Sequence, residues 1–256
     1  MIHPTAVIDP GARIGAGVHI AAYAVIEGDV AIGEGCRIGA HAVIKRHTRM
    51  GARNRIGEHA VLGGDPQDLK FNPDTRSGVE LGDDNVLREG VTIHRGSRPD
   101  SDTRVGNGCF LMAYCHIAHD CAVGSHVVMA NTATLGGEVT VFDRAFISGA
   151  VNVHQFCRIG RNAMIGGCSK ITQDVLPFCI TDGNPSRARG LNLVGLRRSG
   201  LAPADIAALK EAYRLLYQRV PLATAIERMK ASASAPVREL AAFMAAGKRG
   251  FAHPRH

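Results

Sequence analysis

The chain has no tryptophan, and its aromatic residues make up only 5 % of 256 positions. Base stacking therefore has few platforms, and no Lys/Arg tract with interleaved aromatics appears, so nucleic acid is not an expected partner. Uncharged apolar runs fall far short of the roughly 18 residues that a membrane-crossing helix needs. The opening Met1-Ile2-His3-Pro4-Thr5 lacks the basic flank and apolar stretch of a secretory signal. Seven cysteines contain no Cys-x-x-Cys pair, which argues against a zinc ribbon or a disulfide framework. A reducing, cytoplasmic setting is expected. Nor is there a Gly-x-Ser-x-Gly elbow, so direct attack on a carbonyl is preferred over an acyl-serine route.

What is abundant is glycine, 30 residues, and it falls into a pattern. Read in steps of six from Ile2, eleven consecutive positions to Leu62 carry a large unbranched or branched aliphatic: Ile8, Ile14, Ile20, Ile26 and onward. Four residues after each comes a mostly small one, such as Ala6, Ala12, Ala24, Cys36 or Ala42. The register breaks near residue 64, resumes at Leu81, Leu87 and Ile93, breaks again, and then runs from Val105 to Ile171. A period of six matches neither a helix nor a simple exposed strand. It matches a β-helix in which each hexapeptide forms a short strand and a corner. The aliphatic fills the prism, the small residue fits the tight interior, and glycine is expected to relieve strain at corners. Three hexapeptides close a coil, so a residue stacks on the one 18 positions later at about 4.8 Å.

Cys36, Cys109, Cys115, Cys121 and Cys157 all fall on the small inward position and read as buried hydrophobes. The two breaks read as loops leaving the prism, at about 65–77 and 96–103, and exposed loops on a rigid scaffold commonly carry function. Beyond about residue 186 the period changes. Ile206, Leu209, Ala212, Tyr213, Leu216 and Tyr217 recur at helical spacing, as do Leu222, Ile226 and Met229, then Val237, Leu240, Phe243 and Met244. The expected organisation is a β-helix over 1–185 and a small helical region over 186–256. The net charge of +7 favours an acidic partner or a phosphate-bearing ligand.

Twelve histidines are scattered, and the one dense group is His116-Ile117-Ala118-His119-Asp120. With Ile117 inward, His119 should point out of the prism, and a histidine beside a carboxylate suits a general base near neutral pH. One coil above His119 the stacking rule places Gly137, whose N–H has no Cβ in its way. A base and an oxyanion donor one strand spacing apart meet the needs of acyl transfer. In a nearby column Gly149 stacks under Gly167, leaving a shallow groove for something linear and apolar. Zinc held by His94, His116, His119 and His154 is the rival use of the histidines, but their spacing does not match hexapeptide carbonic anhydrases.

With the repeat, the His116–Asp120 segment, the Gln67-Asp68-Leu69-Lys70 loop and Ile93-His94-Arg95-Gly96 in hand, the chain resembles a known family. Val153-His154-Gln155-Phe156, Gly166-Gly167-Cys168-Ser169 and the helical tail extend the match over essentially the whole chain. The family is the bacterial acyl-carrier-protein–UDP-N-acetylglucosamine O-acyltransferases, which open lipid A biosynthesis. The resemblance implies a left-handed parallel β-helix, a homotrimer with active sites between subunits, and no cofactor or metal. It implies transfer of a (R)-3-hydroxyacyl chain from acyl-carrier protein to the glucosamine 3-hydroxyl of a UDP-amino sugar. It assigns His119 as base, Asp120 as its orienting partner and Gly137 as oxyanion donor. Asp68, Lys70, His116, His154 and Gln155 would contact substrate or nucleotide, Asn192 and Arg198 the nucleotide region, and Gly167 would admit a long acyl chain. Three positions depart from the family pattern: Glu138 and Pro185 stand where histidines are usual, and Val194 where a glutamate is usual. Glu138, stacked above Asp120, would make the sugar site more acidic, so an acceptor with a 3-amino group, giving an amide, is the alternative. A non-catalytic trimeric scaffold is the remaining one.

Overall fold

A computed structural model describes residues 1–216, 218 and 220–253; Tyr217, assigned above to a helical stripe, lies outside them. Strands of mostly two residues alternate with corners, and each pairs in parallel with the strand one coil on, Ile8 with Ile26 and Ile117 with Leu135. Every third strand joins the same sheet, so the winding produces three walls of nine, eight and ten strands. The winding is left-handed. Inside, Ile26, Ile44, Leu62, Ile93, Ile117 and Leu135 form one aliphatic ladder, each at most 1 % exposed. Removing such a column from water is the main term holding the prism together.

Apart from Gly63, φ 82°, the glycines that follow the aliphatics do not take the left-handed conformation that relieves corner strain, contrary to the reading above. Gly15, Gly33, Gly51, Gly82, Gly106 and Gly124 stack on one another, and a Cβ on Gly33 would lie 2.4 Å from the Gly51 carbonyl. Close approach of successive coils demands glycine there. The left-handed backbone comes two residues later and is borne largely by side-chain residues, among them Tyr23, His41, Asp120, Glu138 and Phe156. Each such residue costs about 1 kcal/mol. The coil below compensates by accepting its amide, as in Glu138 N–H to His119 O at 3.0 Å and Phe156 N–H to Gly137 O at 3.0 Å.

The small inward position also holds two asparagines, Asn54 and Asn85, both fully buried. They satisfy each other: Asn85 donates from its backbone and side-chain amides to Asn54 Oδ1 at 2.9 and 3.0 Å. Cys109 N–H donates in turn to Asn85 Oδ1 at 2.8 Å. The five inward cysteines are buried free thiols. Burial pushes Cys115 up to about 11 and Cys121 up to about 12, so neither is a nucleophile near neutral pH.

Both breaks leave the prism from one edge, the corner that leads from the nine-stranded wall to the eight-stranded wall. The first lies between Val61–Gly64 and Gly78–Leu81, the second between Thr92–His94 and Asp102–Val105. Asp102 and Thr103, given to the loop above, belong to the strand: they pair with Gly78 and Val79, and Thr103 is fully buried. Register survives both insertions, Leu62 pairing with Ile93 and Ile93 with Ile117. Arg95, only 5 % exposed, ties the first loop down through Asp65 Oδ1 at 2.9 Å and Pro73 O at 2.8 Å, with its guanidinium over the Phe71 ring.

At the far end an antiparallel pair, Cys179–Asp182 with Arg187–Leu191, caps the ten-stranded wall. Among the described residues four helices follow: α1 (Leu193–Arg198), α2 (Pro203–Leu215), α3 (Leu222–Lys230) and α4 (Ala235–Ala245). They enclose a second core containing Phe178, Leu196, Leu209, Met229 and Leu240. Arg158 joins that tail to the prism, bonding Asp174 Oδ2 at 2.6 Å and Phe243 O at 2.8 Å. Two glycines test the stacking argument. Gly33→Ala should lose about 1–3 kcal/mol of stability, because the Gly51 backbone cannot yield. Gly167→Ala, whose Cβ would meet nothing nearer than Gly149 O at 3.6 Å, should keep the wild-type melting temperature. Equal melting points for the two variants in calorimetry would contradict it.

Candidate active site

The strand His116–Ile117 buries Ile117 in the prism, and the chain then turns at the same edge from which the two loops depart. Asp120 takes the left-handed conformation at that corner, φ 58°, and its N–H donates to Thr103 Oγ1 at 2.8 Å. Its carboxylate, 4 % exposed, meets His119 Nδ1 at 2.8 Å. A carboxylate only accepts, so the proton resides on Nδ1 and Nε2 is left as the basic nitrogen. Ser97, from the second loop, donates to Asp120 Oδ2 from its hydroxyl at 2.6 Å and its N–H at 3.1 Å. Burial would push the Asp120 carboxyl up, but donation from Ser97, His119 and Ser101 outweighs it and holds it below the usual range.

Gly137 stands one coil above, as the 18-residue rule requires. A Cβ there would come within 2.6 Å of His119 Cε1 and Nε2, so only glycine lets the backbone reach the basic edge of the ring. Its N–H donates to no other described residue. Glu138, next in the chain, is not an unpaired acid. Arg98 Nη1 meets Glu138 Oε1 at 2.8 Å while Nη2 lies 3.6 Å from Asp120 Oδ1. The expectation of a more acidic sugar site is therefore corrected: a guanidinium stands between the two carboxylates.

Beside the dyad, on the nine-stranded wall, His116 Nδ1 bonds Thr92 Oγ1 at 2.7 Å and its ring meets His94 edge-on, centroids 4.6 Å apart. His94 is buried and its Nδ1 has no partner among the described residues. Gln155 stacks above Gly137, and His154 is exposed, with Nδ1 near Gln155 O at 3.2 Å and Arg249 Nη2 at 3.4 Å. Gly149 and Gly167 do stack, Cys168 N–H donating to Gly149 O at 2.9 Å, but on the corner that enters the nine-stranded wall rather than the one that leaves it. They border the face that His119 borders from the other side.

Other sequence-selected residues are not brought to His119. Asp68 turns its own loop, accepting Lys70 N–H at 2.9 Å, and both are exposed. Asn192 caps α1 through Gly195 N–H at 3.0 Å and donates to Asn162 O at 3.1 Å, on a different edge of the prism. Arg198 and Val194 are exposed on the same helix. Among the described residues no three His, Cys, Asp or Glu side chains are grouped to hold a metal ion. A hollow of about 920 Å³ beside His3, Arg37, Arg55 and Phe110 lies toward the N-terminal end, away from this chemistry. Ser97 and Arg98 were not singled out in the sequence; only their place in the second break pointed to them.

Burial, with His116 and His119 nearby, pushes His94 down to about 4, so it is neutral in the folded protein. Above about pH 6.5 the unfolded chain is also neutral there, and no difference arises. As pH falls below that value the unfolded histidine gains a proton that the folded one refuses, so stability is lost toward pH 4. His116 is shifted the same way by burial. Chemical denaturation should give an unfolding free energy lower by about 2 kcal/mol at pH 5 than at pH 7 from His94 alone. His94→Asn should flatten that slope; an unchanged slope would show that His94 is protonated in the fold.

Comparison with known proteins bears on the same residues. Residues 11–46, 29–64 and 102–137 match the bacterial transferase hexapeptide family (six repeats). Residues 174–252 match the second domain of Udp N-acetylglucosamine O-acyltransferase. The acyl-[acyl-carrier-protein]–UDP-N-acetylglucosamine O-acyltransferase of Synechocystis sp. is 45 % identical over 68 % of this chain, a match that spans 63 % of the relative's own length. Its namesake from Alkalilimnicola ehrlichii is 48 % identical, with 97 % of this chain and 98 % of the relative covered. The solved UDP-N-acetylglucosamine acyltransferase from Campylobacter jejuni superposes with a TM-score of 0.94 at 36 % identity, over 100 % of both chains. The repeat, the tail and the near-complete overlap with the Alkalilimnicola and Campylobacter proteins show that the chain belongs to the acyl-[acyl-carrier-protein]–UDP-N-acetylglucosamine O-acyltransferase family.

Proposed function

We propose that the chain moves a (R)-3-hydroxyacyl group from acyl-carrier protein to the glucosamine 3-hydroxyl of UDP-N-acetylglucosamine, with His119 as general base. The observation that carries this reading is the contact of the His119 Nε2 edge with the Gly137 backbone, one coil above. His119 Nε2 takes the hydroxyl proton as the sugar oxygen attacks the thioester carbonyl. The Gly137 N–H donates to the oxyanion that forms. Collapse releases the thiolate, which recovers the proton from the imidazolium, so ester and thiol are the only products. Asp120, held anionic, supports the imidazolium while it lasts. General-base catalysis contributes typically 10²–10⁴-fold, and one oxyanion donor about 10²–10³.

In this reading His116, His154 and Gln155, bordering the same face, contact the sugar, Asp68 and Lys70 reach it from the first loop, and Gly149 and Gly167 floor the acyl groove. Asn192 and Arg198 sit on another edge of the same protomer, so their contact with the nucleotide calls for a second subunit, which supports a homotrimer. An acidic acyl-carrier protein suits a chain of charge +7. Among the described residues no helix is long and apolar enough to cross a membrane, in keeping with a cytoplasmic enzyme. The pairing of Glu138 with Arg98 leaves no spare carboxylate for an ammonium, so the 3-hydroxyl is favoured over a 3-amino sugar. The intact dyad, in a chain that belongs to an enzyme family, argues against a scaffold.

Mass spectrometry of products decides the matter. The chain is offered 3-hydroxyacyl-carrier proteins of several lengths with UDP-N-acetylglucosamine or its 3-amino analogue in separate reactions. An ester on the ordinary sugar is expected, and product from the amino sugar alone would overturn the acceptor. His119→Ala should remain folded, keep its oligomeric state and lose at least about 10²-fold in turnover; robust activity would remove His119 from its role.

A further inference from the structure

Arg98 and Glu138 lie at the dyad without touching the base. Resting on the reading of His119 as base, we propose that Arg98 is a positioning residue for the His119–Asp120 pair, and that Glu138 acts on the reaction by aiming Arg98 rather than by touching the sugar. Arg98 is in the middle of the second loop, and its side chain is 58 % exposed. A long side chain so exposed has many rotamers and does not hold one place by itself. Two carboxylates hold it: Glu138 Oε1 at 2.8 Å from the coil above, and Asp120 Oδ1 at 3.6 Å from the coil of the base. Glu138 is fixed in its turn, since its N–H donates to His119 O at 3.0 Å. The loop is folded on itself, Arg98 N–H donating to Ser101 Oγ at 3.1 Å and Ser101 Oγ to Arg98 O at 2.9 Å. With Ser97 on Asp120 Oδ2, the whole turn is seated on one buried carboxylate.

The charges explain why the pair belongs together. Glu138 alone, stacked over Asp120, would set two carboxylates one coil apart. Arg98 offsets that repulsion, since its cation favours the anionic Asp120 that holds the imidazole. The other charged or titratable groups around the dyad do not replace it. Arg95, one coil below His119, is committed to Asp65, and His94 and His116 are both shifted toward the neutral form by burial. A guanidinium with two separate arms suits this bridging better than a point-charge ammonium.

The test uses the whole chain and UDP-N-acetylglucosamine with a 3-hydroxyacyl-carrier protein, measuring kcat and the KM for the sugar. Arg98→Met should lower kcat about tenfold with KM changed less than about twofold. Arg98→Lys should restore part of kcat, again with KM unmoved. Glu138→Gln should lower kcat severalfold, and Arg98→Met/Glu138→Gln should be no slower than Arg98→Met alone, the non-additivity of two residues acting in series. Additive losses, or a raised KM with unchanged kcat in Glu138→Gln, would make Glu138 a sugar contact and overturn the proposal. A wild-type kcat in folded Arg98→Met would overturn it too. Failure of the base assignment is distinct, since it would appear as activity in His119→Ala.

Discussion

Every feature of this protein depends on the stacking of one coil on the next at the spacing of a parallel β-sheet. That distance is set by backbone hydrogen bonds and does not stretch, so whatever projects from one corner meets what projects from the corner above. The stacked glycines show the constraint at its tightest: where Gly33 faces the Gly51 carbonyl there is no space for a methyl group. At the edge that carries the proposed base the same approach brings the Gly137 backbone against the His119 ring. On that proposal a base and a backbone donor are aligned by the fold itself, and such preorganisation is what oxyanion stabilisation requires.

The polar interior of the site follows from a second constraint, that a buried carboxylate must be fully bonded. Asp120 is nearly inaccessible, and its oxygens take donors from His119, from the hydroxyl and amide of Ser97, and lie near Arg98. Breaking one side of such a group costs more than the bond itself contributes, because the charge remains in place. The second loop is consequently part of the dyad's support. His94 represents the opposite solution: with no partner for Nδ1 among the described residues and little solvent, it stays uncharged.

Much of this was legible in the sequence, for physical reasons. The aliphatic ladder repeats every six residues because each coil presents the same three inward sites, so Ile8 to Ile171 announces the prism. Stacking then places Gly137 over His119 by counting alone. Other features could not be counted. Glycine after each aliphatic reads equally as a corner residue or a close-contact residue, and only the coil-to-coil distance at Gly33 separates the two. The short helix α1 and its cap at Asn192 give too few residues for a period to show. The Arg98–Glu138 bond joins an inserted loop to a coil 40 residues on, outside any repeat, and depends on where a long flexible side chain comes to rest.

Both insertions leave the prism at the edge that carries His119 and Gly137, and this placement follows from what the repeat can and cannot supply. A regular coil gives rigid, evenly spaced positions, which suit the proposed base and oxyanion donor but leave them on an open corner. Shielding and charge balance need chain that departs from the repeat, and a departure elsewhere would not reach them. The register of Leu62 with Ile93 and of Ile93 with Ile117 shows that the extra residues are accommodated without disturbing the walls. Arg95 fixes the first loop through Asp65 and Pro73, and Ser97, two residues later, fixes the second on Asp120. One short segment, Arg95–Arg98, therefore couples both loops to the dyad, and the irregular part of the molecule is as firmly located as the regular part.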